Sequence, residues 1–130
     1  MRESKRSVLV IDDNEDIRHL LTLILENAGF TVLTGIDGAD GLAQTRSAKP
    51  DLILLDAMMP GLNGFEVLEK IRKDRDSKIN SIPVLMLTSR SSVEDIDMAI
   101  DLGATSYVVK PFRPEKLVQK VISIFESESS

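Results

Sequence analysis

Residues 8–16 read Val8-Leu9-Val10-Ile11-Asp12-Asp13-Asn14-Glu15-Asp16. The first four are apolar without a break. Such a run is too short for a helix and does not alternate, which is the pattern of a strand buried on both faces. It stops at two adjacent carboxylates. Like charges side by side at the end of a buried strand are costly, and the rest of the chain has to supply the reason for them.

Four more runs of the same kind follow: Thr31 to Leu33, Leu52 to Leu55, Val84 to Leu87 and Tyr107 to Val109. Helical stripes lie between them. Ile17, Leu20, Leu21, Ile24 and Leu25 share one face of a helix that Gly29 should stop. Ala39, Leu42 and Ala43 mark a second helix with Asp37 as N-cap, and Phe65, Leu68 and Ile71 stripe a third. A capping box of Ser91 and Glu94 precedes Val93, Ile96, Ala99 and Ile100, and Gly103 closes that fourth helix. Pro114 suits the first turn of a fifth, striped by Leu117, Val118, Val121, Ile122 and Phe125.

Five strand–helix repeats imply an α/β protein: a doubly wound, five-stranded parallel sheet with helices on both faces. The expected strand order is 2-1-3-4-5, the flavodoxin-like arrangement, taken over from known doubly wound proteins rather than read from these residues. The segment from Lys73 to Ser81 is polar and reads as a solvated loop. The expected organisation is one domain over residues 1–125, with 126–130 a disordered polar tail or the start of a linker.

Composition sets limits on function. A formal net charge of -5 argues against a general nucleic-acid surface. The absence of cysteine excludes disulfides and thiolate metal sites and fits a reducing compartment. The opening MRESKRS does not read as a secretory signal, and no apolar run approaches the ~20 residues of a membrane helix. The expectation is a cytoplasmic protein without membrane contact.

In a parallel sheet the strand ends point the same way, and ligands bind outside the carboxyl ends where the order reverses. Asp12 and Asp13 end the first strand, Asp56 the third, Thr88 the fourth and Lys110 the fifth. With the order above, three carboxylates share one crevice, with Thr88 and Lys110 beside it. Two unit charges about 4 Å apart repel by ~4 kcal/mol at an effective dielectric of 20. A lysine offsets part of this and a divalent cation more. Oxygen-only ligands suit a hard ion such as Mg2+ (or Mn2+), whose role would be to neutralise charge on a phosphoryl group.

The set resembles the receiver domain of bacterial two-component response regulators. The matching residues are Asp12-Asp13, then Asp56 within LILLDAMMPGLNGFEVL with Met59-Pro60 and Gly64, Thr88-Ser89 in VLMLTSR, and Tyr107 with Lys110-Pro111-Phe112 in SYVVKPF. The match runs from about Val8 to Phe125. The resemblance implies that Asp56 accepts a phosphoryl group from a phosphohistidine on a sensor histidine kinase or phosphotransfer protein. Asp12, Asp13, Asp56 and the Met58 backbone carbonyl would hold the cation. Lys110 would pair with one phosphoryl oxygen and Thr88 with another, Tyr107 would swing inward, and small Ser89 would leave room. It implies a cis Lys110-Pro111 bond. The face made by the fourth helix, fifth strand and fifth helix would signal to a downstream effector protein, as a monomer or a phosphorylation-linked dimer, with no direct binding to nucleic acid. Met58 and Arg90 stand where an attacking water would be helped, and neither is an obvious helper; Arg90 would sooner shield the phosphoryl group.

Each piece has a blander reading. Asp12 or Asp13 alone is a helix N-cap, Asp56 a loop acid, Thr88 a cap, Lys110 a surface lysine, and Tyr107 ordinary packing. Their weight comes from the set. His19 reads as surface, Glu94, Asp95, Asp97 and Asp101 as a solvated face, and the methionines as core and loop filler. Two rival functions remain. A haloacid-dehalogenase-like phosphatase needs a D-x-D on the first strand, which the adjacent pair does not provide. A pseudo-receiver, never phosphorylated, usually lacks a site residue, and here all are present.

Overall fold

The computed structural model describes residues 5–129. The first four residues of the opening segment and Ser130 of the polar tail lie outside the described residues. The strands are β1 (Ser7–Ile11), β2 (Thr31–Gly35), β3 (Leu52–Leu55), β4 (Val84–Thr88) and β5 (Ser106–Val109). All pair in parallel in the order β2-β1-β3-β4-β5, as expected. The helices are α1 (Glu15–Asn27), α2 (Gly38–Ala48), α3 (Gly64–Arg72), the single turn α4 (Ser77–Asn80), α5 (Val93–Asp101) and α6 (Pro114–Ser129).

Successive strand residues face opposite sides, which splits the core in two. Leu9, Ile11, Ile53 and Leu55 join Phe65, Leu68 and Ile71 of α3 and Ala99 of α5 on one face. Val8, Val10, Leu52 and Leu54 join Leu21 and Leu25 of α1 and Leu117, Val121, Ile124 and Phe125 of α6 on the other. Each such aliphatic burial stabilises by ~1.5–3 kcal/mol, so the central strands are the main source of stability.

The edges depart from the sequence expectation. β2 and β5 are half-exposed rather than buried on both faces, because only three strands lie inside a five-stranded sheet. The stripes shift too. Leu20 is exposed in α1, and in α6 Ile124 takes the buried place expected of Ile122. In α5 only Ala99 is fully buried, while Val93 and Ile100 are exposed. The buried face of α2 is Gly38, Gly41 and Thr45, not Ala39 and Ala43. A Cβ on Gly41 would stand 2.5 Å from Ile11 Cδ1, so glycine sets how closely α2 approaches β1.

The Lys73 to Ser81 segment is more than solvated loop: it contains α4 and buries Ile79 against the core. The Arg72 guanidinium donates to the carbonyls of Gly103, Asn80 and Ile82, tying this segment to the end of α5. Asp37 caps α2 as expected, but the cap of α5 is Ser92, not Ser91: its side chain accepts from the Asp95 N–H. The chain stays helical through Ser129, past the end expected at Phe125.

Gly64 lies against the loop that follows β3. A Cβ there would overlap the Asp56 carbonyl oxygen and Ala57 Cα, and backbone cannot rotate away. Gly64→Ala is therefore expected to lose at least ~1–3 kcal/mol of stability by urea denaturation. Leu20→Ala, at an exposed position, is expected to stay within about 0.5 kcal/mol of the parent.

Candidate functional site

The site is built by register. Ile11 pairs with Leu55 at the ends of neighbouring strands, so the next residues, Asp12 and Asp56, leave the sheet side by side. Two further backbone bonds fix them there: Asp12 N–H to the Gly35 carbonyl (3.2 Å) and Asp56 N–H to the Ile11 carbonyl (3.1 Å). Asp12 is 2% exposed and Asp56 7%, whereas Asp13 faces solvent. Carboxylate oxygens of the three lie within 4.8 Å of one another.

The blander reading of the acidic pair fails on the cap. Asn14, not an aspartate, accepts from the Ile17 N–H and starts α1, while the Asn14 N–H donates to Asp12 Oδ1 (2.9 Å). Asp12 and Asp13 are thus left to the crevice. Lys110 is brought in by the β5 end, where its N–H donates to the Thr88 carbonyl, and its following peptide bond is cis, as expected. Lys110 Nζ stands 3.1 Å from Asp12 Oδ2 and 3.7 Å from Asp56 Oδ2.

Asp56 is accordingly a stressed carboxylate. Burial pushes its pKa above the ordinary aspartate value, and the Asp12 charge pushes the same way. The Met58 N–H, which donates to Asp56 Oδ1 (3.1 Å), opposes this, as do Lys110 and the Thr88 hydroxyl. One lysine against three carboxylates leaves net negative charge in a cleft of oxygen donors. Those donors fit a hard divalent cation such as Mg2+, with exposed Asp13 on the side open to water.

Thr88 is fully buried at the end of β4, and its Oγ accepts from the Arg90 N–H (3.3 Å). The Tyr107 hydroxyl donates to the Arg90 carbonyl (2.7 Å), so this ring is directed into the β4–α5 loop. Burial raises its pKa. Met58 is half-exposed beside the crevice, Ser89 is exposed at its rim and His19 is on the surface. Sequence reasoning missed Asp95. It is buried, not part of a solvated face, and accepts from the Arg90 guanidinium (2.8 Å) and the Ser92 hydroxyl (2.8 Å). Those two bonds hold its carboxyl below the usual range. The Ser92-x-x-Asp95 spacing carried a signal for this. The contact with Arg90 spans a loop and left none.

Comparison with known proteins agrees with this geometry. A family model described as "Response regulator receiver domain" matches residues 8–122. The chain belongs to the response regulator receiver domain family. It is 36% identical over 121 residues to "DNA-binding response regulator MtrA" of Mycolicibacterium smegmatis, covering 93% of this chain and 51% of that protein. It is 39% identical over 122 residues to "Probable transcriptional regulator ycf27" of Guillardia theta, covering 94% and 46%. The chain thus spans about half the length of these relatives. Among solved structures, the chemotaxis response regulator CheY4 of Vibrio cholerae superposes with a TM-score of 0.86 at 36% identity, covering 93% of this chain and 99% of that one. A CheY-like receiver domain protein from Methanospirillum hungatei gives 0.89 at 28% identity, covering 97% and 98%. No described helix is long and apolar enough to cross a membrane.

The raised pKa of Asp56 has a sign that can be checked. The folded state holds its proton more tightly than the unfolded chain, so ionisation costs stability as pH rises through and above the ordinary aspartate pKa. In chelator at pH 7, Asp56→Asn is expected to melt above the parent. The difference should shrink as pH falls below the ordinary aspartate pKa; a constant difference in the thermal midpoints would contradict it.

Cation binding is checked separately. At a Mg2+ concentration ten times its dissociation constant, the folded state gains ~1.4 kcal/mol. Asp13→Asn should keep the fold and lose the Mg2+-dependent rise in melting temperature.

Proposed function

We propose that the protein is a phosphorylation-dependent switch of a two-component system or phosphorelay, with Asp56 as phosphoacceptor. The observation that carries this reading is the convergence of Asp12, Asp13 and Asp56 with Lys110 at the sheet's switch point, with Asp56 buried and held by the Met58 N–H. The donor is a phosphohistidine of a kinase or phosphotransfer protein. An Asp56 oxygen attacks phosphorus, the P–N bond breaks, and the imidazole nitrogen leaves with the electron pair and takes up a proton. Asp12, Asp13, Asp56 and the Met58 carbonyl hold the Mg2+ (or Mn2+), whose charge would offset that on the phosphoryl oxygens. Lys110 pairs with one of these oxygens.

Thr88 turns from its present partners toward another phosphoryl oxygen. Its Oγ now accepts from the Arg90 N–H, so this turn disturbs the Arg90 backbone that also anchors Tyr107. The change spreads to the face of α5, β5 and α6, where Val93, Met98, Ile100 and Val109 are exposed. A partner protein reads that face, as a complex with one copy or a dimer. The formal net charge of -5 argues against a general nucleic-acid-binding surface on this chain.

The test is intact mass after incubation with Mg2+ and acetyl phosphate. The expected result is one phosphoryl adduct, lost in Asp56→Asn and in chelator. Absence of an adduct from any donor would favour a pseudo-receiver. Continuous turnover of varied phosphate esters would favour the phosphatase.

Tyr107 is the only tyrosine, and the chain has no tryptophan. Its fluorescence therefore reports on one ring. Phosphorylation is expected to change the tyrosine emission of the parent and to leave that of Thr88→Ala nearly unchanged, although the latter still takes the adduct by mass.

A further inference from the structure

Asp12 is held on every polar group it has. Its N–H donates to the Gly35 carbonyl (3.2 Å), its Oδ1 accepts from the Asn14 N–H (2.9 Å) and its Oδ2 from Lys110 Nζ (3.1 Å). The remaining group, its carbonyl, accepts from Nη1 of the Arg18 guanidinium (2.7 Å). Asp13 is the opposite case. It is exposed, and among the described residues its carboxylate makes no hydrogen bond or ion pair. Yet one of its oxygens lies within 4.8 Å of those of Asp12 and Asp56. Backbone, not side-chain bonding, aims Asp13 at the crevice.

We propose that Arg18 is a positioning residue of the cation site: by holding the Asp12 carbonyl it sets the place from which Asp13 enters the crevice. This rests on the reading of Asp12, Asp13 and Asp56 as cation ligands. The peptide unit is planar, so its carbonyl cannot turn without moving the next Cα. With the Asp12 N–H and carboxylate fixed, the torsion ψ of Asp12 decides where Asp13 goes. A bond to the carbonyl fixes that torsion. Arg18 is well placed to make it. Its own N–H donates to the Asn14 carbonyl (3.0 Å), which puts it one turn into α1. Side chains of a helix lean toward its N-terminus, and here that direction leads back over the Asp12–Asp13 turn.

Arg18 also brings a positive charge close to a site meant for a dication. By charge alone it weakens the binding of any dication, and it does so equally for two ions of the same charge. Positioning is not equal between ions. Mg2+ demands near-ideal octahedral geometry with ligands at ~2.0–2.1 Å, whereas Ca2+ accepts longer and more variable contacts. A loosened Asp13 therefore penalises Mg2+ more than Ca2+. The preference between the two ions separates positioning from charge.

The experiment measures Mg2+ and Ca2+ dissociation constants from the ion-dependent rise in melting temperature, with melts in chelator confirming that each variant is folded. Arg18→Met keeps an apolar stem and removes the donors. It is expected to lower the preference for Mg2+ over Ca2+ about fivefold, on the scale of one hydrogen bond. Arg18→Lys keeps a donor and the charge, and should fall between Arg18→Met and the parent. A parent-like preference in Arg18→Met overturns the proposal. That holds whether both ions bind more tightly by the same factor, as loss of charge alone predicts, or the variant only melts lower in chelator, as a merely structural role predicts. A parent whose melting temperature neither ion raises overturns the reading of the crevice as a cation site, and this one with it.

Discussion

Parallel register forces three carboxylates into one small volume. Asp12 and Asp56 leave adjacent strands at the same level, Asp13 follows, and one lysine stands among them. Burial is the main reason that Asp56 holds its proton more tightly than an ordinary aspartate, and the nearby Asp12 charge adds to it. Much of the surrounding structure serves this crowding. Asn14 takes the helix cap so that the acids are not used for it, and the Met58 N–H fixes one Asp56 oxygen. Gly64 lets α3 begin against the Asp56 carbonyl.

The helices are not anchored equally. α1 and α6 bury full stripes against one face of the sheet, whereas α5 is joined to the other by little more than Ala99. Its start is set instead by polar bonds, Ser92 with Asp95 and Asp95 with Arg90. A helix held by charges and caps responds to a nearby change of charge more readily than one held by a packed core. The loop before α5 carries Thr88 at one end and receives the Tyr107 hydroxyl in its middle. The side of the molecule held by polar bonds therefore begins at the crevice where charge would change.

The interior strands were legible in advance. The runs at Val8, Leu52 and Val84 are continuous because both faces are covered, and their ends fell within one residue of the observed ones. The edge strands gave shorter runs, and their half-exposure belongs to their place in the sheet order, not to their residues. Stripes misled where a helix packs through backbone or caps. Gly41 against Ile11 left no hydrophobic signal, and the isoleucines of α6 exchanged places by two positions. Asp95 looked like one more acid on a polar face, since its partner Arg90 is in a loop with no periodicity to read.

By itself the sequence determined the strand–helix alternation, the capping of α2 and the residue types of the crevice, because these depend on neighbours within a few positions along the chain. Only the tertiary structure decided that Asn14 and not Asp13 caps α1 and how close Lys110 comes to Asp12 and Asp56. It alone also decided that Asp95 is buried under Arg90. The physical reason is the same each time: a carboxylate's partner, screening and exposure are set by atoms from distant segments, and no local pattern encodes those distances.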